Sequence, residues 1–279
     1  MTGTVLLTGA TGFVGRQVLY ALVERKVPVK LVIRPVSIEK LKGEYHYEII
    51  YSEDLFSESI DWWSRVCENV DIVIHVAWYA EPGKYLQSIK NLDCLVGTIN
   101  LAQGAIDANV KRFVGIGTCF EYDLKGGVVS INTSLNPLTP YAGAKAAAFF
   151  SLSNIFSKKE LEFAWCRLFY LYGEGENSSR LVPYIRSRIS ANQIVELTSG
   201  IQIRDYLDVK IAGERITEIA LSSLRGAVNV CSGIPITVRQ FAENIADEYN
   251  RRDLLRYGVR PDNYFDPLCV VGIKGKDSR

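Results

Sequence analysis

The stretch Val5-Leu-Leu-Thr8-Gly9-Ala-Thr11-Gly12-Phe13-Val14-Gly15 restricts the fold more than any other part of the chain. A short apolar run from Thr4 to Thr8 reads as a buried strand. Three glycines follow at three-residue spacing, and Arg16–Arg25 then carries Val18, Leu19, Leu22 and Val23 at helical spacing. Strand, glycine turn and helix in this order form the context of a dinucleotide fingerprint. One glycine permits the tight turn, another lets backbone approach a pyrophosphate, and the third allows close packing of helix on strand. The N-terminus of the helix then faces phosphate charge. A plain strand-to-helix corner has no need of three glycines so placed.

The segments that follow alternate. Val29–Ile33 is a second strand ending at Arg34, with Ser37 and Lys40 close behind. A carboxylate at this position would take the ribose 2′-hydroxyl of NAD, whereas an arginine suits the 2′-phosphate of NADP. Tyr47–Tyr51 and Asp71–Ala77 are further strands. The second contains His75, read as a packed core residue, and runs into the aromatic loop Trp78–Tyr85. Leu92–Ala108 is helical, and Arg112–Ile116 is a buried strand leading into Gly117-Thr118-Cys119-Phe120-Glu121-Tyr122. Pro137 and Pro140 set the start of a helix through Phe156, and Glu162–Leu168 is another strand. Strands alternating with helices predict an α/β fold, a Rossmann-type, doubly wound parallel sheet. Its ligand is expected off the carboxyl ends of the strands, where the glycine turn, Arg34, Trp78 and Thr118 all fall.

The helix after Pro140 opens with Tyr141-Ala-Gly-Ala-Lys145. Residues four apart share a helix face. A phenol beside an ammonium is easier to deprotonate, which would make Tyr141 a proton donor or acceptor near neutral pH. Such pairs are common on helix surfaces, and only the cofactor turn gives this one meaning. Composition removes competing classes. A net charge of +1 offers no basic field for a nucleic acid polymer. No apolar run approaches a membrane span, and the N-terminus lacks the pattern of a signal peptide. The six cysteines are scattered without a C-x-x-C, and only His46 and His75 are present, so no metal site is expected. Free thiols in a reducing cytoplasm are the simplest reading.

Taken together, these marks resemble the extended short-chain dehydrogenase/reductase family, in its nucleotide-sugar branch. Gly9-x-x-Gly12-x-x-Gly15 is similar to the family's cofactor turn, with Thr11, Phe13 and Val14 inside it. Asp54-Leu55 resembles its adenine contact, and Ala77 lies at the strand end that borders the cofactor. Thr118, four residues before Tyr122, matches the catalytic Ser/Thr, and Tyr141 with Lys145 matches the Y-x-x-x-K pair. Arg167–Gly173, Arg204-Asp205-Tyr206 and Asn229–Gly233 resemble later family segments. The resemblance implies that Tyr141 exchanges a proton with a sugar oxygen, that Lys145 lowers the tyrosine pKa and holds the nicotinamide ribose, and that Thr118 bonds the same oxygen. Trp78, Thr118, Cys119, Tyr170 and Arg204 would line the substrate side. Arg204 would meet a diphosphate, or else form a structural salt bridge.

Departures from the family pattern narrow the reaction. Cys119-Phe120 stands where sugar dehydratases carry Asp-Glu, leaving no proton donor for elimination. Tyr170 replaces an Asn, and Cys94 replaces a helix Asn that Asn91, one turn earlier, could replace in function. Ile211 stands near an expected Asp, and the chain stops soon after Pro267–Gly272, as a short member or one whose C-terminus is lost. The expected organisation is an NADP-binding Rossmann domain over 1–165 and a substrate-binding lobe over 166–279, partly interleaved, with the site in the cleft between. A homodimer is expected through helices 92–108 and 141–157. The row Ala146, Phe149, Phe150, Ser153 is either that face or core. The leading expectation is an NADPH-dependent reductase of a nucleotide-diphosphate 4-keto-6-deoxy sugar, with NAD(H) possible. The alternatives are an NAD-dependent 4-epimerase, a non-catalytic NADP-binding sensor, or a reductase of some other carbonyl compound.

Overall fold

The computed structural model describes residues 3–41, 47–263 and 266–275; His46 lies outside them. The first half runs β1 (Val5–Thr8), α1 (Phe13–Glu24), β2 (Val29–Ile33), β3 (Glu48–Tyr51), α2 (Ile60–Val66), β4 (Ile72–His75), α3 (Lys90–Asp107) and β5 (Arg112–Thr118). There follow β6 (Val128–Val129), α4 (Pro140–Lys158), β7 (Glu162–Leu168), β8 (Tyr170–Tyr172), α5 (Leu181–Ser190), β9 (Val195–Glu196), β10 (Ile203–Arg204) and β11 (Tyr206–Asp208). The chain closes with α6 (Val209–Leu221), β12 (Gly226–Val230), β13 (Ile236–Thr237), α7 (Val238–Asp247), β14 (Leu255–Arg256) and β15 (Cys269–Gly272).

Seven strands form one parallel sheet in the order β12-β7-β5-β4-β1-β2-β3. Helices cover both faces, so the central strands are continuously apolar rather than alternating. One face packs Val18, Leu19 and Leu22 of α1 and Ala212, Ile216 and Ile219 of α6. The other packs Trp63 of α2, Leu101 and Ala105 of α3, and Leu152 and Phe156 of α4. The strand order reverses beside β1, between β2 and β4. A crevice therefore opens there at the carboxyl ends, where a doubly wound sheet binds its ligand.

The expected elements are present with shifted ends. α1 begins at Phe13 instead of Arg16, because Gly12 is already its extended N-cap. β5 runs on to Thr118. β4 stops at His75, and Tyr170–Tyr172 forms its own strand, paired with β11. The expected domain boundary at 165/166 falls inside β7, and α6 and β12 return to the main sheet.

Beyond the carboxyl ends a second core joins α5, α7, β9 and β14 through Ile185, Val195, Phe241 and Ile245. A small sheet, β13-β10-β15-β6, lies alongside. The fully buried Asp205 clasps three segments there. One carboxylate oxygen accepts the Ser232 N–H at 2.7 Å and the Ser232 hydroxyl at 2.6 Å; the other accepts Gly233 N–H at 2.9 Å and Gly272 N–H at 3.1 Å. In the α4 row left open above, Phe150 is exposed, whereas Ala146 is buried and Phe149 packs on Phe163 and Trp165.

Candidate active site

The glycine turn is shaped for a close ligand. Gly9 holds φ +75°, and a Cβ there would come within 2.7 Å of the Ala77 nitrogen. A Cβ on Gly15 would lie 2.1 Å from the Gly9 carbonyl oxygen. Gly12 N–H closes the turn onto that oxygen at 3.0 Å. No side chain caps the first N–H groups of α1, and its first turn holds no acid. Nearby, Arg16 Nε is buried without a partner, and the guanidinium lies against Gly175. An uncapped helix N-terminus beside an incompletely satisfied arginine fits a diphosphate.

A directed hydrogen-bond chain fixes the neighbouring strand end. Thr98 Oγ1 donates to the Cys94 carbonyl at 2.7 Å, so it accepts from His75 Nε2–H at 2.9 Å. His75 Nδ1 then accepts from Thr8 Oγ1 at 2.8 Å, and Thr8 Oγ1 accepts Ala77 N–H at 3.3 Å. This ordering assigns the Nε2–H tautomer. Burial, helped by the Lys145 charge, pushes His75 down to about 3. It is a neutral packed residue, as its place in a buried strand implied.

Thr118 ends β5, and Tyr141 and Lys145 stand one turn apart at the start of α4. Thr139 caps that helix, accepting Ala142 N–H at 3.2 Å, and Pro140 occupies the first turn, where a missing N–H does no harm. Lys145 Nζ donates to the Ile116 carbonyl at 2.6 Å and lies 3.7 Å from the centroid of the Trp78 ring. Burial draws Lys145 down to about 7, against an opposing pull from Glu121. Tyr141 meets Tyr85 edge-on at 4.8 Å and Trp78 at 6.5 Å. Burial drives the Tyr141 phenol well above its usual range, and the smaller downward pull comes from the Thr118 side chain. Lys145 does not figure among the causes of that shift. In this arrangement the ammonium is turned to Ile116 and Trp78, and desolvation dominates the phenol.

Two residues have parts in the site that sequence reasoning did not assign to them. Asn91 holds the aromatic loop: its Oδ1 accepts Trp78 Nε1–H at 2.8 Å, and its amide donates to the Tyr85 and Ser88 carbonyls at 2.7 and 2.8 Å. The sequence offered Asn91 as a substitute for a family Asn; here it positions Trp78. Glu121 is fully buried beneath Thr118, accepting Thr118 N–H at 2.8 Å, Trp165 Nε1–H at 3.0 Å and Arg167 Nε–H at 2.7 Å. A signal for this floor was present in Gly115-x-Gly117, two glycines inside a central strand, which mark a close approach. A Cβ on Gly115 would meet the Trp165 ring at 2.3 Å, and one on Gly117 would meet Trp165 Nε1 at 2.2 Å and Glu121 at 2.3 Å.

The remaining residues divide. Arg34 and Asp54 are exposed at the carboxyl ends of β2 and β3, and Leu55 follows Asp54 in a turn closed by Ser57. Tyr170 packs edge-on against Phe120 and Tyr206, with its hydroxyl buried and unpartnered. A cavity of about 240 Å³ lies between Tyr170, Tyr206, Glu176 and Arg180. Cys119, expected to face substrate, packs instead into a core with Tyr122, Val129 and Phe169. It enters a 3₁₀ turn directly after Thr118, which carries it away from the crevice, and burial pushes its thiol up to about 12. Arg204 is buried in the salt bridge left open by the sequence, 2.6 Å from Asp266, with its guanidinium over the Tyr170 ring.

The model of the NAD dependent epimerase/dehydratase family matches residues 5–217. A dTDP-6-deoxy-L-talose 4-dehydrogenase (NAD(+)) of Aggregatibacter actinomycetemcomitans is 25% identical over 279 residues, covering 97% of this chain and 99% of that one. A UDP-N-acetylglucosamine 4-epimerase from Methanobrevibacter ruminantium M1 superposes with TM-score 0.86 at 20% identity, over 98% of this chain and 90% of that one. A dTDP-glucose 4,6-dehydratase from Streptomyces venezuelae does so with TM-score 0.82 at 19% identity, over 98% and 89%.

Proposed function

The chain belongs to the NAD dependent epimerase/dehydratase family, and from that membership we propose that it is a reductase of a nucleotide-diphosphate 4-keto-6-deoxy sugar. The observation that carries this reading is the composition of the crevice beside Thr118 and Tyr141. The next two positions hold a core cysteine and a phenylalanine packed on Tyr170, so no acid stands ready to assist elimination. The 4-dehydrogenase relative, named for oxidation at the same sugar carbon, supports direct redox chemistry at C4. A bound nicotinamide supplies the hydride. Tyr141, kept protonated by burial, donates the proton to the C4 oxygen, and the Thr118 hydroxyl orients that oxygen. Lys145 holds the nicotinamide ribose, and the uncapped start of α1 with Arg16 holds the cofactor diphosphate. Arg34 at the end of β2 favours NADPH by its charge, although the dehydrogenase relative is named for NAD(+). The enzyme would work in the cytoplasm as a homodimer, through the exposed apolar face of Ile89 at the N-cap of α3, Leu92, Val96 and Ile99 on α3, and Phe150 on α4.

A second reading, a 4-epimerase retaining NAD, is favoured by the likeness to a named 4-epimerase. It shares Thr118, Tyr141 and Lys145. The two part in an assay of NADPH and NADH oxidation with dTDP-, CDP-, GDP- and UDP-4-keto-6-deoxyhexoses. Stoichiometric oxidation with one sugar, reduced at least about 100-fold in Tyr141→Phe, is the expected result. Interconversion of C4 isomers without net oxidation would establish the epimerase instead.

A further inference from the structure

Directly beneath Thr118 the chain buries an ion pair that the reaction as proposed leaves without a role. We propose that Glu121 is a positioning residue: its carboxylate fixes Thr118 through the Thr118 amide and keeps the Lys145 ammonium charged inside the site, with Arg167 as its counterion. The roles of Thr118 and Lys145 rest on the reading above; the first test below does not.

The geometry is specific. One oxygen of Glu121 takes Thr118 N–H at 2.8 Å and Trp165 Nε1–H at 3.0 Å, and the other takes Arg167 Nε–H at 2.7 Å. Arg167 also donates from Nη1 to the Tyr122 hydroxyl at 3.0 Å, and that hydroxyl donates to Asn229 Oδ1 at 2.7 Å. Holding the Thr118 amide and the indole alone needs only one neutral carbonyl oxygen, which a glutamine offers. A buried ion pair in its place is weak ground for stability, because desolvation of two charges offsets much of their attraction. Arg167 Nη2 is buried without a partner, so the pair is not fully compensated even now. The indole N–H reaches this second oxygen as well, at 3.2 Å, and the charge on Glu121 leaves room for a role besides stability.

Trp165 shows what that is. The face of its indole lies 5.9 Å from Lys145 Nζ, while its Nε1–H is bonded to Glu121. A single side chain thus separates the carboxylate from the ammonium. The titratable groups around Lys145 are His75 from β4, Cys94 from α3, Tyr85 from the loop, Tyr141 from α4, and Cys119 and Glu121 from the turn after β5. Burial holds His75 at about 3, Cys94 at about 11 and Cys119 at about 12, and raises both phenols, so these five are neutral at pH 7. Glu121 is then the negative charge that opposes desolvation of Lys145.

The first test reads Lys145 directly in the ligand-free protein, by NMR titration of lysine side-chain carbons assigned with Lys145→Met. In Glu121→Gln the Lys145 midpoint should fall by about one unit, as expected for losing a nearby negative charge, and in Glu121→Gln/Arg167→Met by less, because the opposing Arg167 charge goes with it. The double variant leaves no orphaned charge and is expected to fold even if the single one does not. A midpoint that does not fall in Glu121→Gln, or in the double variant where only that one folds, overturns the proposal, as does failure of both to fold, which would make the pair structural. The second test uses whichever nucleotide sugar the wild type turns over. The double variant should lose at least about tenfold in kcat with sugar KM within about twofold, and its alkaline limb should move with Lys145. Wild-type kcat and pH profile in the double variant would overturn the proposal. A wild type inactive on every sugar would overturn the functional reading and leave this assignment to the NMR arm.

Discussion

Lys145 and His75 are both bases whose folded pKa lies below the unfolded one, and the sign of their effect on stability follows from that. For Lys145 the window runs from about 7 to the ordinary value of 10.5. Within it the unfolded chain holds a proton that the folded chain has released, so this group adds stability as pH rises. For His75 the window runs from 6.5 down to about 3, and its contribution is lost as pH falls through that range. The loss amounts to about 5 kcal/mol at most. Denaturant titrations at a series of pH values should show this acid slope, and His75→Gln should flatten it. Asn91→Ala should lower stability by about 1–3 kcal/mol by orphaning the Trp78 N–H; an unchanged denaturation midpoint would mean that water replaces the lost partner. Tyr141 and Lys145 could be paired from local helical spacing, whereas Thr118 was singled out only by its likeness to a family motif; the structure brings Thr118 and Tyr141 together. Glu121 was not legible: its bond to Thr118 follows a local capping-box spacing, but its partners Trp165 and Arg167 are 44 and 46 residues away. Cys119 was misread because a 3₁₀ turn rotates it inward, which no periodicity announces.

At the scale of elements, two glycines show how different the demands on one residue type are. Gly117 sits in β5 with no room for a methyl group beside Trp165 and Glu121. Gly117→Ala should therefore lower stability by about 3 kcal/mol, typical of overpacking in a rigid core. Gly143 lies in α4 between the reacting pair, with nothing within 4 Å of a Cβ placed there. Gly143→Ala should raise stability by about 0.4–1 kcal/mol, by restricting the unfolded chain and improving helix propensity. Thermal melts of the two variants should move in opposite directions; movement in the same direction would contradict this account of the packing. The alternation of strands and helices was readable because the central strands carry short unbroken apolar runs, as in Val5-Leu-Leu7 and Ile72-Val-Ile74. Element ends were less readable, since they depend on tertiary partners: β4 stops at His75, where Thr8 takes over the next amides, and α1 starts early on Gly12.

The whole molecule adds what neither residues nor elements show alone. Leu92, Val96 and Ile99 on α3 and Phe150 on α4 are exposed, and they form the strip proposed above to pair with a second copy. Leu92→Glu combined with Phe150→Glu should convert a dimer to a monomer in sedimentation velocity; a monomeric wild type would refute the pairing. The sequence could suggest these helices only by likeness, because a face that packs on a second copy has the same periodicity as one that packs inward. Arg34→Asp, distant from the reacting groups, should move preference from NADPH toward NADH by at least about tenfold in kcat/KM. Chain order also cuts across architecture. β12 pairs with β7 in the main sheet, and Asp205 ties β15 to the segment after β12. A protease that nicks the exposed turn at 191–194 would thus produce two fragments that neither separate on gel filtration nor fold apart, because each supplies strands that the other needs.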